Sequence, residues 1–328
     1  MTSFTHKCLR KMNTPPPETR NYNASNLDYD RPLVSCICTA YNQELYIKDA
    51  LEGFVMQSTT FPFEVIVHDD ASTDSTADII REYAIKYPHI IKPIFQSENQ
   101  YSKGFKSRMM ADINAAMSPY SKYIAICEGD DFWIKPYKIQ KQVEFMEAHP
   151  DYSMCFTGAN VTHPTEPNPK LYQDLEERPY SGDEIIRNWI VPTASVLYRR
   201  EIHYLIPVSR RFVYGDNVWF LTCATHGNVY CLGEKMVTYR AGVGVMSQLH
   251  KSQAMHRFKR IRHYCELYRC FPKFRKGIKS ALFSCFYDYL HDDLVSKRKK
   301  RVIFKYMMTH HPRPFARMIW IDIKKRLS

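Results

Sequence analysis

The chain has 328 residues, of which 45% are hydrophobic and 24% charged, and its formal net charge is +12. These proportions are typical of a globular protein, and they exclude wholesale disorder and collagen-like repeats. No run of residues approaches the ~20 consecutive apolar positions that span a bilayer. The first thirty residues lack the apolar core of a secretory signal, so we expect no export by that route.

The ten cysteines are scattered, without a C-x-x-C pair or a nearby histidine that would complete a zinc pattern. In the absence of an export signal, we interpret them as reduced and mostly buried thiols. A reducing compartment, the cytoplasm, is therefore the expected location.

The positive charge is confined to one end of the chain. Residues 251–328 contain 21 Lys and Arg against 5 Asp and Glu, a net charge of +16, which leaves −4 for the first 250 residues. The basic segment therefore needs an explanation separate from that of the main body.

After a polar leader at residues 1–31, short apolar runs alternate with runs of helical periodicity. Strands are predicted at 33–39, 63–68, 91–96 and 123–127, and helices at 44–57, from 72 or 73, at 108–117 and from 136. Such alternation favours an α/β fold with a parallel sheet and helices on both faces. In these sheets the ligand crevice lies beyond the carboxyl ends of the strands.

The alternation loosens after residue 150. Residues 158–183 are polar and rich in proline, which predicts a surface loop near the site. A helix is predicted at 218–225, then strands at 228–232 and 235–240 and a glycine-bearing loop at 242–247. From about residue 253 the chain is predicted to be helical, aromatic and basic.

Acidic residues follow two of the predicted strands: Asp69 and Asp70 after one, and Glu128, Asp130 and Asp131 after another. Carboxylates that share one edge of a sheet raise each other's pKa unless a positive charge lies between them. A divalent metal supplies that charge, and oxygen ligands suit magnesium or manganese, which keep positions open for substrate phosphates. The alternative is that these acids are turn formers and helix caps.

Three runs of the sequence stand out: VSCICTAYNQELYIKDAL at 34–51, VIVHDDASTDST at 65–76 and YIAICEGDDFWIKPYKIQKQ at 123–142. In their order and spacing they resemble the family-two inverting glycosyltransferases of GT-A fold, and the similarity extends from about residue 33 to 247. The resemblance implies a Rossmann-like nucleotide-diphospho-sugar transferase fold, with a mixed sheet and flanking helices. Here a basic α-helical C-terminal extension follows it.

The resemblance also implies a role for each matching position on the nucleotide side. Thr39 and Tyr41 match residues that edge the nucleotide base, with Tyr41 able to stack on it, and Glu44 often joins them. Asp70 matches the acid that reads the base, and Asp69 supports the turn.

On the catalytic side, Asp130 and Asp131 match the motif that binds the metal and holds the donor diphosphate, with Glu128 in the first acidic position. The run VYGDNVWFLTCATHG at 213–227 resembles the acceptor-side element, which makes Asp216 the candidate general base. Asp216 also precedes a predicted helix and is a natural N-cap, so the cap and base roles remain alternatives at this point.

The chain departs from the family's pattern at three places. Glu128 stands where the family usually has Asp, which leaves Asp130 and Asp131 as the stronger metal candidates. Ala71 replaces a common glycine, a change that we expect to be harmless. The run YRAGVGVMS at 239–247 resembles the closing loop but lacks its frequent histidine, so Arg240 becomes the candidate for the diphosphate contact.

The implied activity is transfer of a single sugar from a nucleotide-sugar, most simply a UDP-sugar, to an acceptor hydroxyl in the synthesis of cell-surface polysaccharide or glycoconjugate. The Q-x-x-R-W run of processive synthases is absent. Mn²⁺ or Mg²⁺ would assist departure of the diphosphate, and Asp216 would deprotonate a saccharide or lipid-linked saccharide acceptor.

Two rival functions belong to other classes. One is a catalytically inactive GT-A-fold protein that binds sugar or nucleotide. The other is a nucleotidyltransferase, which would carry a glycine-rich basic phosphate loop after its first strand, where this chain has AYNQ at 40–43.

We divide the chain into the leader 1–31, a catalytic domain 32–250 and a basic, aromatic helical region 251–328. Within the domain, 32–150 is the nucleotide-sugar-binding half and 151–250 the acceptor-binding half. The basic region suits peripheral contact with anionic lipid on the inner face of the cell membrane. Its alternative is a solvated face on helices packed against the catalytic domain, and nucleic-acid binding is disfavoured because no recognisable module is present.

Overall fold

The computed structural model describes residues 28–103, 106–166, 169–173, 175–243, 253–292, 295–310 and 316. The predicted leader lies almost wholly outside this part, as do residues 244–247 of the predicted closing loop and the end of the basic region.

The described residues form strands and helices in this order: β1 (Val34–Ala40), α1 (Ile47–Val55), β2 (Phe63–Asp69), α2 (Thr76–Lys86), β3 (Ile91–Phe95), α3 (Lys106–Ala116), β4 (Tyr123–Ile126), β5 (Phe132–Trp133), α4 (Lys138–Ala148), β6 (Tyr152–Thr162), β7 (Arg178–Tyr180), α5 (Gly182–Asn188), β8 (Leu197–Arg199), α6 (Arg200–His203), α7 (Gly215–His226), β9 (Asn228–Arg240), α8 (Gln253–Cys270), α9 (Arg275–Leu290) and α10 (Lys297–His310).

The strands form one mixed sheet in the order β3-β2-β1-β4-β8-β6-β9-β5, with β7 also paired to β9. The first four are parallel, β8 runs antiparallel to both of its neighbours, and β6 and β9 are parallel to each other. Because Thr39 pairs with His68 and Ala40 with Asp69, β1 and β2 end at the same edge of the sheet. This architecture confirms the predicted α/β class with a mixed sheet and flanking helices.

Two hydrophobic cores lie on the two faces of the sheet. Alternate residues of β1 separate them, since Cys36 and Cys38 face the core that contains α1, α2 and α4, whereas Ile37 faces the other. The second core contains α3, α5 and α7, and the apolar residues of α8, α9 and α10 join it. Seven of the nine cysteines among the described residues are buried, and all nine are free thiols.

Two predictions for the second half of the domain are wrong. Residues 158–183 are not one loop, because β6 continues to Thr162 and β7 covers Arg178–Tyr180. The separate strands predicted at 228–232 and 235–240 are a single strand, β9. Both differences arise from pairing with β9, which pairs in parallel with β6, through register shifts next to Gly158, and antiparallel with β7. Hydrogen bonds to a strand seventy residues away outweigh the local turn signals.

Two predicted helix starts also need correction. α4 begins at Lys138, after Tyr137 in the N-cap position, so Pro136 precedes the helix and does not open it. α2 begins at Thr76 after Ser75, and the predicted caps Ser72 and Thr73 lie in the preceding loop.

The C-terminal helices pack directly against α5. A Cβ atom at Gly277 of α9 would lie 2.5 Å from the carbonyl oxygen of Asp183 in α5, so only glycine permits this approach. The ion pair between Arg257 of α8 and Asp292, at 3.1 Å, closes the helical region on itself. No helix in the described part of the chain has the length and apolar character needed to cross a membrane. The boundary at residue 250 stays a prediction.

Candidate active site

Main-chain hydrogen bonds join the ends of β1, β2 and β4. The carbonyl of Thr39 accepts from the amide of Gly129 at 3.0 Å, and the carbonyl of Ala40 accepts from the amide of Asp70 at 2.9 Å. The three segments that carry the predicted site residues therefore meet at one edge of the sheet.

The loop after β1 is fastened to the loop after β2 by side chains. Asn42, at φ +50°, donates its backbone amide to the Ser72 hydroxyl at 2.9 Å, and its side-chain oxygen accepts the Thr73 backbone amide at 2.8 Å. The Glu44 carboxylate accepts the Ser75 amide at 3.0 Å, at the start of α2. Glu44 thus holds the two loops together. Tyr41, half-buried, makes no hydrogen bond or ring contact with the described residues.

Asp69 and Asp70 are both buried, and they do different things. Asp69 accepts hydrogen bonds from the amide and hydroxyl of Ser72, which shapes its own turn. Asp70 turns the other way: one carboxylate oxygen accepts the amide of Gln100 at 2.7 Å, and the other accepts that of Tyr101 at 3.0 Å. A nucleotide base that met Asp70 would have to use its remaining lone pairs.

Ala71 is strained, contrary to our expectation that its replacement of glycine is harmless. Its φ of +61° lies in the left-handed region, where a Cβ atom collides with the backbone at a cost of about 1–2 kcal/mol. The bonds between Asp69 and Ser72 span this residue and impose the conformation. The turn is therefore held against its local preference, which is common at functional sites.

The acidic motif, residues 128–131, follows β4, and the negative charges of its side chains are poorly neutralised. Burial and then the charges of Asp131 and Asp130 raise the pKa of Glu128 well above its usual range. One oxygen of Glu128 is buried without a hydrogen-bond partner among the described residues. Burial and the neighbouring Asp130 raise the pKa of Asp131 to about 8, and burial also raises that of Asp130.

Asp216 is not a helix cap. α7 begins at Gly215 with Tyr214 in the N-cap position, so Asp216 is inside the first turn and accepts the Asn217 amide at 2.8 Å. Burial raises the pKa of Asp216 to about 6. Its charge also makes a small contribution to the raised pKa of Glu128.

Arg240, at the end of β9, contacts the motif. Its amide donates to the Asp131 carboxylate at 2.8 Å, and its guanidinium donates to the Asp130 carbonyl at 2.9 Å. The guanidinium also pairs with Asp49 and lies 4.4 Å from the ring centre of Phe132. Hydrogen bonds therefore join the end of β9 to the acidic motif.

Two tyrosines of the site escaped the sequence analysis. Tyr172 and Tyr239 meet edge to face at 5.5 Å. Burial, with smaller contributions from Asp216, Asp131 and Glu128, raises the pKa of both. Tyr172 has a left-handed φ of +57°, a feature that only a structure reveals. The proline-rich stretch around it predicts a loop near the site but marks no residue in it.

Comparison with known proteins identifies the family. The family model "Glycosyl transferase family 2" matches residues 35–205, just over half of the chain. This chain belongs to glycosyl transferase family 2.

Three relatives represent the family. An uncharacterised protein of Mycobacterium tuberculosis is 36% identical over 63% of this chain and 58% of its own length. The putative teichuronic acid biosynthesis glycosyltransferase TuaG of Bacillus subtilis is 29% identical over 64% of this chain and 79% of that protein. The Escherichia coli enzyme WfaP, a UDP-Glc:α-D-GlcNAc-diphosphoundecaprenol β-1,3-glucosyltransferase, is 37% identical over 35% and 41%. The chain thus spans less than two thirds of the mycobacterial relative.

Solved structures show the GT-A fold. Residues 1–349 of Staphylococcus aureus TarS, in complex with UDP, superpose with a TM-score of 0.58 at 16% identity, over 83% of this chain and 78% of that one. The mannosyltransferase PcManGT of Pyrobaculum calidifontis, in complex with GDP-Man and Mn²⁺, gives a TM-score of 0.53 at 16% identity, over 91% and 81%.

A family 2 member raises the question of a metal. Within the residues that the structure describes, no group of three or more His, Cys, Asp or Glu side chains is arranged to hold an ion. The acids still fit a divalent cation chemically, since they are hard oxygen donors that raise each other's pKa, and one Glu128 oxygen lacks a partner. Asp131 already accepts the Arg240 amide. The predicted set of three carboxylate ligands for the metal is therefore not preformed.

The raised pKa of Asp131 predicts a pH-dependent stability. The folded carboxyl holds its proton up to about pH 8, whereas the unfolded one releases it near 3.8. Its stabilising contribution is full below pH 4 and is lost as the pH rises through 8. Asp131→Asn cannot ionise and keeps the acceptor for Arg240. We expect it to gain stability relative to wild type between pH 5 and 8.5, on the order of 2 kcal/mol.

Urea unfolding in EDTA at several pH values measures this difference. Asp78→Asn, an exposed change in the first turn of α2, is the control and should leave the pH profile unchanged. Parallel profiles for wild type and Asp131→Asn would refute the assignment.

Proposed function

We propose that this protein is an inverting glycosyltransferase that moves one sugar from a UDP-sugar to a hydroxyl of a saccharide or lipid-linked saccharide. The observation that carries the proposal is that the acidic motif lies at the edge where the loops after β1, β2 and β4 are fastened together, and that the charge of Asp216 contributes to the raised pKa of Glu128 in that motif. In this proposal the donor binds at the acidic motif and the acceptor binds next to Asp216.

Support for a uridine nucleotide comes from the comparisons. The TarS structure contains UDP, and WfaP takes UDP-Glc as donor and a lipid diphosphate saccharide as acceptor. In this chain the base would lie against Tyr41 and Thr39, with Asp70 beside it. Tyr41 is suited to stacking because it has no ring partner among the described residues.

The diphosphate would lie between the acidic motif and Arg240. Asp130 and Glu128, with the remaining oxygen of Asp131, would hold Mn²⁺ or Mg²⁺. When bound, the ion neutralises negative charge on the departing nucleoside diphosphate. Arg240 would bind the same anion. Its ion-pair partner Asp49 is half-exposed, so an incoming phosphate can replace that aspartate.

Asp216 would act as the general base. With a pKa raised to about 6 by burial, its carboxylate is mostly ionised at neutral pH, yet it accepts a proton more readily than an ordinary aspartate. Removal of the acceptor's proton on the face opposite the diphosphate gives attack from behind, and the anomeric centre inverts. Tyr172 and Tyr239 help to exclude water from the carboxylates.

Asp216→Asn should reduce transfer by about 10²–10⁴-fold, because it removes the base while the amide preserves the shape. UDP affinity should stay unchanged. The assay is release of UDP from a panel of UDP-sugars with undecaprenyl-diphosphate saccharides as acceptors. Asp78→Asn, also in the first turn of a helix, is the matched control and should transfer normally.

Undiminished transfer by Asp216→Asn would refute the base assignment. Nucleotide binding without transfer in the wild type, with every donor, would favour the inactive binding protein. Release of pyrophosphate in place of UDP would favour a nucleotidyltransferase.

We also propose that α10 brings the enzyme to an anionic membrane surface. Ile303 and Met307 anchor the helix in the core. Phe304 and Met308 are 39% and 47% exposed, and helical spacing places them on one face with Arg301 and neighbouring lysines. Exposed apolar side chains surrounded by basic ones suit the headgroup region of an anionic bilayer.

The double change Lys297→Glu/Arg301→Glu should weaken binding to vesicles that contain phosphatidylglycerol by at least about tenfold, since each basic residue contributes about 1 kcal/mol. Co-sedimentation measures this binding. Lys86→Glu/Lys92→Glu, two exposed lysines near β3, is the control of equal charge. Equal binding by both double variants, or no binding by the wild type, would contradict the proposal.

A further inference from the structure

A cavity of about 220 Å³ opens at the ends of β6 and β9, next to the acidic motif. Tyr46, His163 and Arg240 are among the residues that line it, and none of its described lining residues is an Asp or a Glu. Its volume equals that of roughly seven water molecules. The described carboxylates of the site therefore do not line this cavity, and Arg240 connects it to the acidic motif through hydrogen bonds to Asp131 and to the Asp130 carbonyl.

His163 enters the cavity from β6. That strand ends at Thr162, which pairs with Arg240 of β9, so His163 is the first residue beyond the pair. The Nδ1 atom of His163 accepts the amides of Thr165 at 3.2 Å and Glu166 at 3.0 Å. A neutral imidazole has one donor and one acceptor nitrogen, and here the backbone occupies the acceptor. The Nε2 atom therefore carries the hydrogen.

Gly242 makes room for this nitrogen. A Cβ atom at Gly242 would lie 2.6 Å from Nε2 of His163, and the residue's φ of +79° is a conformation that favours glycine. Two independent features thus set the position of the imidazole: the turn after β6 fixes one nitrogen, and a glycine leaves space for the other.

The cavity suits an anion. Arg240 supplies a full positive charge, and its guanidinium is already held by the Asp130 carbonyl and the ring of Phe132. His163, which lines the same cavity, supplies an N–H donor. A hydrogen bond to a charged group is worth more than one between neutral groups, so a phosphate oxygen is the partner that gains most from these two side chains.

We propose that His163 is a binding residue for the donor diphosphate, with its Nε2–H donating to a phosphate oxygen while Arg240 neutralises charge. This inference rests on the proposed function, since it assumes a nucleoside diphosphate at the acidic motif. It extends the diphosphate site from the ends of β4 and β9 to the end of β6. Gly242 is then required, because any side chain there would displace the imidazole.

The test compares UDP with uridine in the presence of Mn²⁺, by calorimetry for UDP and ligand-observed NMR for uridine. His163→Phe keeps an aromatic ring and removes the N–H, so UDP should bind about tenfold more weakly and uridine unchanged. His163→Gln, whose amide can donate from a similar position, should recover most of the affinity. His89→Phe, an exposed histidine elsewhere, should bind both ligands as wild type does.

Gly242→Ala provides a second variant that retains the histidine. Its Cβ should push the imidazole away and give the same selective loss for UDP. Wild-type UDP affinity in His163→Phe, or an equal loss for UDP and uridine, would overturn the role of His163 while leaving the proposed function intact. Failure of the wild type to bind any nucleoside diphosphate would overturn both.

Discussion

Repulsion among partly buried carboxylates is the constraint on which this site depends. Glu128, Asp130 and Asp131 follow β4 at the carboxyl edge of the sheet, and burial together with repulsion from neighbouring carboxylates raises the pKa values of Glu128 and Asp131. Arg240 opposes this crowding but shares its guanidinium with Asp49. The negative charges of these carboxylates are therefore not fully neutralised in the folded protein, and a cation bound with a diphosphate would neutralise them.

The sheet holds this arrangement by connecting distant segments. The Thr39 and Ala40 carbonyls hold the turns after β4 and β2, and the Arg240 amide joins β9 to the acidic motif. Parallel pairing of β6 with β9 delivers Arg240 and His163 to the same place. The packing of α9 against α5 braces the second half of the domain, which carries Asp216. The residues of the candidate site lie at the ends of the strands, whereas the residues within the strands form the hydrophobic cores.

Local signals were enough to predict the α/β class and the edge that carries the acids, because hydrophobic periodicity and strand-end acids depend on neighbouring residues. Features that depend on distant partners were missed. Lys138 looks like a surface lysine, yet it is buried, with Nζ 2.7 Å from Gln142 and 4.1 Å from the Trp133 ring centre, and burial lowers its pKa to about 8. The extent of β6, the strain at Ala71 and the place of Tyr172 likewise follow from contacts far along the chain.

Thermal unfolding of the full chain at pH 8 with UDP, with Mn²⁺, with both, and with both plus EDTA tests the central claim most directly. If the acids bind a cation and a diphosphate together, UDP with Mn²⁺ should raise the melting temperature by several degrees more than the sum of the two separate shifts. The expected size follows because a ligand at 100 times its Kd stabilises the folded protein by about 2.7 kcal/mol. EDTA should abolish the difference. No joint shift, or an equal shift in EDTA, would contradict the account.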